Sequence, residues 1–317
     1  MNIAQHVHEA EARIRLYIRE TPLDYSLALS HMTGADVFLK LENLQHTGSF
    51  KVRGALNKLL ALTSEQRAPG VVAASSGNHG AALAFGLRTL GAQGIVFAPE
   101  HASPTKVDAI RRYGADVQFH GTDGVVTEIY ARQYAEERGM TYISPYNDPQ
   151  VIVGQGTIGV ELARQQADID AVFVSIGGGG LISGIAGYLK TSAAMRPTII
   201  GCSPANDAAM IASIRAGAII EAPALPTISD GTAGGLEPGA ITFDMCRALV
   251  DDYVLVTEEE IRSAMRLFME TSHMLLEGAA GVALAAFLKQ QQAFVGKRVV
   301  IVICGANISL DVLRGVV

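Results

Sequence analysis

The sequence predicts an α/β fold built on parallel sheets. Three observations carry that prediction. Short apolar runs alternate with helical stretches along the chain. The runs are continuously apolar rather than alternating, as strands buried on both faces require. Several of the helical stretches stop at glycine, a common helix terminator.

The expected strands are 37–39, 70–74, 95–98, 117–120 and 142–143, followed by 171–176, 198–202, 253–256 and 298–303. Between them the periodicity predicts helices such as 80–91, 104–114, 125–139, 156–166 and 181–189. The stretch 171–189 carries no charge and is long enough to span a membrane. Four consecutive glycines interrupt it, so it reads as a buried strand, a glycine loop and a helix. No repeat of fixed period and no low-complexity linker marks a domain boundary.

Composition narrows the function classes. The 317 residues are 49% hydrophobic and 18% charged, enough for a large core in one or two domains and against disorder. A net charge of -6 without a block of like charges offers no footprint for nucleic acid or an anionic membrane. Cys202, Cys246 and Cys304 are too scattered for a disulfide framework or a zinc site. The first 21 residues alternate in charge and lack the apolar core of a signal peptide, so a cytoplasmic protein is expected.

Four motifs carry chemistry. Lys51 lies in Ser-Phe-Lys-Val-Arg-Gly at 49–54. A lysine amine can form a Schiff base with an aldehyde cofactor if its pKa is lowered, although a lone lysine more often belongs to the solvated face of an amphipathic helix. Ser75, Ser76, Gly77, Asn78, His79 and Gly80 follow an apolar run, where Ser75 or Asn78 could cap the next helix. Gly177, Gly178, Gly179 and Gly180, then Leu181, sit between a strand and a helix, where converging backbone N–H groups and the helix dipole bind an anion. The Gly-Lys-Ser/Thr ending of a nucleotide loop is missing, as is the acidic residue of a dinucleotide fold. Cys304 ends the last apolar run and by itself reads as a small buried hydrophobe.

In this order and wording the motifs resemble the serine/threonine dehydratase group of fold-type II pyridoxal phosphate enzymes, from Thr21-Pro22-Leu23 to the C-terminus. The resemblance implies a tryptophan synthase β-like architecture of two parallel-sheet α/β domains, residues 1–60 with 149–317 and residues 61–148, with pyridoxal 5'-phosphate in the cleft between them. It implies Lys51 as the Schiff-base lysine and catalytic base, and the loop 177–180 with Leu181 as the phosphate cradle. Asn78 would meet the phenolic oxygen. Ser75, Gly77 and His79 would surround the substrate carboxylate. Cys304 would face the pyridine nitrogen, as a weaker partner than a carboxylate. Phe50 packs either against the cofactor or in the core. Glu277 is either a cofactor neighbour or a helix-capping acid. Gly-Gln-Gly-Thr at 154–157 reads as architecture at the domain junction. The implied activity converts a β-hydroxy amino acid such as threonine or serine to a 2-oxo acid and ammonia, in a homodimer.

Several residues depart from relatives. Ser76 stands where the group's racemases carry a serine that can protonate the face opposite the lysine, so a racemase using Lys51 and Ser76 stays open. Ser203 and Ala209 replace the glutamate and aspartate that hold a divalent cation in those relatives, and Asp207 alone makes a poor site, so no such metal is expected. Tyr146 is aromatic, as in threonine dehydratases. Gly234 and Gly235 either shape a turn or leave room for a bulkier substrate such as phenylserine or a hydroxyectoine-derived amino acid. No C-terminal regulatory domain is expected after 304–307, which fits a catabolic role.

Overall fold

A computed structural model describes residues 2–191 and 196–317. It contains two sheets. The strands are β1 (Leu23–Tyr25), β2 (Asp36–Lys40), β3 (Val71–Ala74), β4 (Gly94–Ala98), β5 (Asp116–Phe119), β6 (Thr141–Tyr142), β7 (Ala171–Ser175), β8 (Thr198–Pro204), β9 (Asp252–Val256) and β10 (Arg298–Val302). Six form one sheet in the order β1-β2-β10-β7-β8-β9, and four form another in the order β5-β4-β3-β6. Every pairing is parallel except β1 with β2.

All nine expected strands are present, with ends shifted by a few residues. The antiparallel β1 was not expected and makes the larger sheet mixed. Its three residues, Leu-Asp-Tyr, are half-buried or exposed, so no apolar run announces them. By contrast all five residues of β7 are buried, as a central parallel strand requires.

One helix begins earlier than its glycines suggest. The expected 156–166 helix is Pro149–Gln165. Asp148 caps it by accepting from the backbone N–H groups of Gln150 and Val151, and Pro149 supplies the first helical φ. Gly154 therefore lies inside a helix, where it allows contact with helix Lys51–Ala61: an added Cβ would fall 2.7 Å from Gly54 Cα. The 154–157 motif makes a close helix–helix contact.

The largest apolar cluster surrounds the six-stranded sheet, and three smaller ones hold the four-stranded sheet and the helices against it. Among the described residues no helix is long and apolar enough to cross a membrane.

Candidate active site

Parallel strands deliver their loops to one side, and ligands of open α/β sheets collect there. The segment after β3 opens helix Asn78–Leu90, and the loop after β7 opens helix Gly180–Thr191. Cys304 follows β10. Lys51 is the first residue of its helix. All four segments line one cavity of about 1040 Å³. Every residue singled out for cofactor or substrate lies on its wall: Phe50, Lys51, Ser75, Ser76, Gly77, Asn78, His79, Gly177, Gly178, Gly179, Gly180, Leu181 and Cys304.

The Lys51 segment is fastened to the end of β10. Phe50 N–H donates to Cys304 O at 3.1 Å, and Ser49 bridges to Gly305. The Lys51 amine donates to Pro145 O at 2.9 Å and sits 5.2 Å from the Phe50 ring. Loss of water pushes its pKa down to about 8, against weaker opposing pulls from Cys304 and Glu277. A near-neutral amine in a cleft is what both an aldehyde-binding lysine and a proton acceptor need. Burial, with the nearby Lys51, drives the His79 pKa down to about 3, so its ring is neutral at physiological pH. Its Nε2 bonds Ile143 O at 2.9 Å, and its buried Nδ1 has no partner.

The glycine loop is shaped for close approach. Gly179 has φ 84°, in the left-handed region. An added Cβ on Gly178 would fall 2.4 Å from the Tyr146 ring. The Tyr146 hydroxyl in turn accepts the Glu237 N–H at 2.8 Å. Tyr146 thus braces both the glycine loop and the 228–240 segment, whose Gly234 and Gly235 have open space beside them. A bare backbone cradle at a helix N-terminus fits a phosphate. With a lowered-pKa lysine in the same cavity, the donor set fits pyridoxal phosphate.

Glu277 resolves toward the site. It precedes helix Gly278–Gln290 but its side chain makes no cap. Instead its carboxylate accepts from Asn78 Nδ2 at 2.8 and 3.0 Å and from Asn307 N–H at 3.1 Å. Burial raises its pKa to about 7, partly opposed by the Asn78 hydrogen bond. The Asn78 oxygen accepts from Asn307 Nδ2 at 2.5 Å, so its amide is committed at both ends. Cys304 is buried, and desolvation, with Glu277 nearby, raises its thiol well above the usual range. That makes it a neutral neighbour rather than a nucleophile.

Some of the site was not anticipated. Pro145 O, the Lys51 acceptor, is a backbone atom with no sequence signature. Two ion pairs, Lys106–Asp230 on the cavity wall and Arg132–Glu237 at 2.7 Å, join residues more than a hundred positions apart. Ser203, inside β8, donates to Ile176 O, and Asp207, just after the strand, accepts the Gly234 N–H at 2.8 Å. Among the described residues no group of three His, Cys, Asp or Glu could hold a metal ion.

Comparison with known proteins identifies the family. A family model described as pyridoxal-phosphate dependent enzyme matches residues 14–305. The chain is 39% identical to an L-threonine ammonia-lyase of Thermotoga maritima over 99% of this chain and 77% of the relative. Maize serine racemase superposes with a TM-score of 0.93 at 34% identity, covering 98% of this chain and 95% of that one. The processed form of threonine deaminase isoform 2 from Solanum lycopersicum also gives 0.93, at 33% identity, over 99% and 92%.

Proposed function

We propose, for a chain that belongs to the pyridoxal-phosphate dependent enzyme family, that its cleft converts a β-hydroxy amino acid such as L-threonine or serine to a 2-oxo acid and ammonia. The observation that carries this reading is the Lys51 amine, held toward neutrality in a cavity that also contains the glycine cradle.

Bound here, pyridoxal phosphate would supply an aldehyde for the substrate's amine and a ring that takes up the electron pair left when the Cα proton is removed. The loop 177–180 and the start of its helix would hold the phosphate through backbone N–H groups. Ser75, Gly77 and His79, at the start of helix Asn78–Leu90, orient the substrate carboxylate, which the helix dipole favours. Lys51 accepts the Cα proton. Cys304, uncharged, would lie toward the ring nitrogen, and Asn78 would meet the phenolic oxygen by exchanging one of its bonds to Glu277 or Asn307. Phe50 packs beside the Lys51 amine.

Ser76 supports a second reading. It lines the same cavity as Lys51, which is the pairing an amino acid racemase needs. Open space beside Gly234 and Gly235 would also admit a bulkier substrate, such as phenylserine or a hydroxyectoine-derived amino acid, while Gly234 at φ 115° equally serves to shape a turn. The commitments of Ser203 and Asp207 support working without the relatives' divalent cation. The same reading takes residues 61–148 as a small domain against 1–60 with 149–317, in a cytoplasmic homodimer.

The test is 2-oxo acid release by the cofactor-loaded protein from L- and D-threonine, serine, phenylserine and hydroxyaspartate. Release from one or more is expected. Production of the opposite enantiomer without oxo acid would replace this reading with racemisation.

A further inference from the structure

The chemistry above leaves a buried ionic group behind Lys51 without a task. The side chains of Lys40, Glu42, Arg53 and Glu161 are wholly excluded from solvent. Arg53 Nε and Nη2 donate to the two oxygens of Glu42 at 2.8 and 2.7 Å. Its Nη1 and Nη2 donate to the two oxygens of Glu161 at 2.8 and 2.9 Å, and Nη1 also reaches Thr157 Oγ1 at 3.2 Å. All five guanidinium N–H groups have an acceptor by this count. Lys40 Nζ donates to Glu161 at 2.6 Å, and the Thr21 hydroxyl donates to Glu42 at 2.5 Å. Within the fully buried set two cations face two carboxylates, and at its edge the partly exposed Arg15 also donates to Glu161 at 2.9 Å and pairs with Glu11.

Such a group adds little net stability over apolar packing of the same volume. What a filled guanidinium fork does supply is a fixed direction. Here the direction matters because of place. Lys51 and Arg53 are two residues apart on one helix, about 200° around its axis. Lys51 lines the cavity while Arg53 points into the ion cluster behind it. Glu42 begins the segment that leads to Lys51. Between them Asn43 N–H is held by Ile303 O at 2.9 Å, Thr47 adopts φ 65°, and Phe50 N–H is held by Cys304 O. The segment 42–53 is therefore clamped at both ends by one cluster.

We propose that Arg53 is a positioning residue: through its paired contacts to Glu42 and Glu161 it fixes the first turn of helix Lys51–Ala61, and with it the direction from which the Lys51 amine enters the cleft. This rests on the reading of Lys51 as the cofactor-bound base.

The test uses the cofactor-loaded enzyme with Arg53→Lys, which keeps the charge and loses the fork, and Glu42→Asp, which shortens the reach. Both should keep their circular dichroism and cofactor content. The kcat should fall by about a hundredfold, as for a small misplacement of a reacting group. KM should stay within about twofold, because the interaction is remote from ground-state binding. The visible absorbance of the lysine-bound cofactor should shift in its pH titration. Unchanged kcat and unchanged titration, with only the thermal midpoint lowered, would overturn the proposal. If Arg53→Lys does not fold, Glu42→Asp decides by the same readouts. If the unmutated enzyme releases no oxo acid, the functional reading fails alone. The absorbance titration then decides the positioning claim: a shift supports it and no shift overturns it.

Discussion

Lys51 and Arg53 stand two residues apart in one helix and meet opposite environments. Both lose water. Around Lys51 the pulls of Cys304 and Glu277 are too weak to compensate, so burial carries its pKa down to about 8. Burial also works against the charge on Arg53, but Glu42 and Glu161 outweigh it and hold the guanidinium above its ordinary range. The difference separates two uses of a buried cation. An unpaired one becomes a reactive base, whereas a paired one becomes an anchor.

The largest effect expected from breaking this comparison is on its reactive side. Lys51→Ala should lower oxo-acid release by at least about a thousandfold, since base and cofactor attachment go together. Loss of the visible cofactor band would accompany it. Retained turnover would contradict the role given to Lys51.

Breaking the anchored side should act on stability. Glu161→Gln leaves Arg53 and Lys40 short of a carboxylate in a dry interior. A loss of about 3–5 kcal/mol is expected from the denaturant midpoint. A loss near zero would mean that water or a neighbour replaces the charge.

Glu277 sharpens the comparison from the acid side. Its folded pKa is raised from 4.5 to about 7, so the folded state holds a proton that the unfolded chain has lost. Its favourable contribution is present below pH 4.5 and is lost as pH rises toward 7, by up to about 3 kcal/mol. Glu277→Gln should flatten stability across that window. An unchanged pH dependence would show that the carboxylate is ionised throughout.

Much of this was legible in the sequence, for identifiable reasons. Strands buried on both faces leave unbroken apolar runs, so β7 and β10 were visible with their loops. The glycine loop and Lys51 were visible because their chemistry requires particular residues in short segments. β1 was not, because its polar and half-exposed residues leave no apolar run. The start of helix Pro149–Gln165 was missed because glycines 154 and 156 look like a boundary. They serve instead as contact points for Gly54 and for Gly184. Glu277 stayed ambiguous because an acid at a helix start caps helices as often as it serves a site. Only the fold brings Asn78 and Asn307 to it. The partners of Arg53 come from three segments, Thr21, Glu42 and the pair Thr157 and Glu161, and nothing local to 49–54 names them.

The most direct test of the contrast between the two cations is the pH dependence of Lys51 modification in cofactor-free protein. An amine-reactive reagent would be used, with site occupancy read by mass spectrometry. The account predicts a midpoint near 8, well below the ordinary 10.5 of a lysine. A midpoint near 10.5 would mean that Lys51 is as solvated as a surface lysine, and would contradict the account.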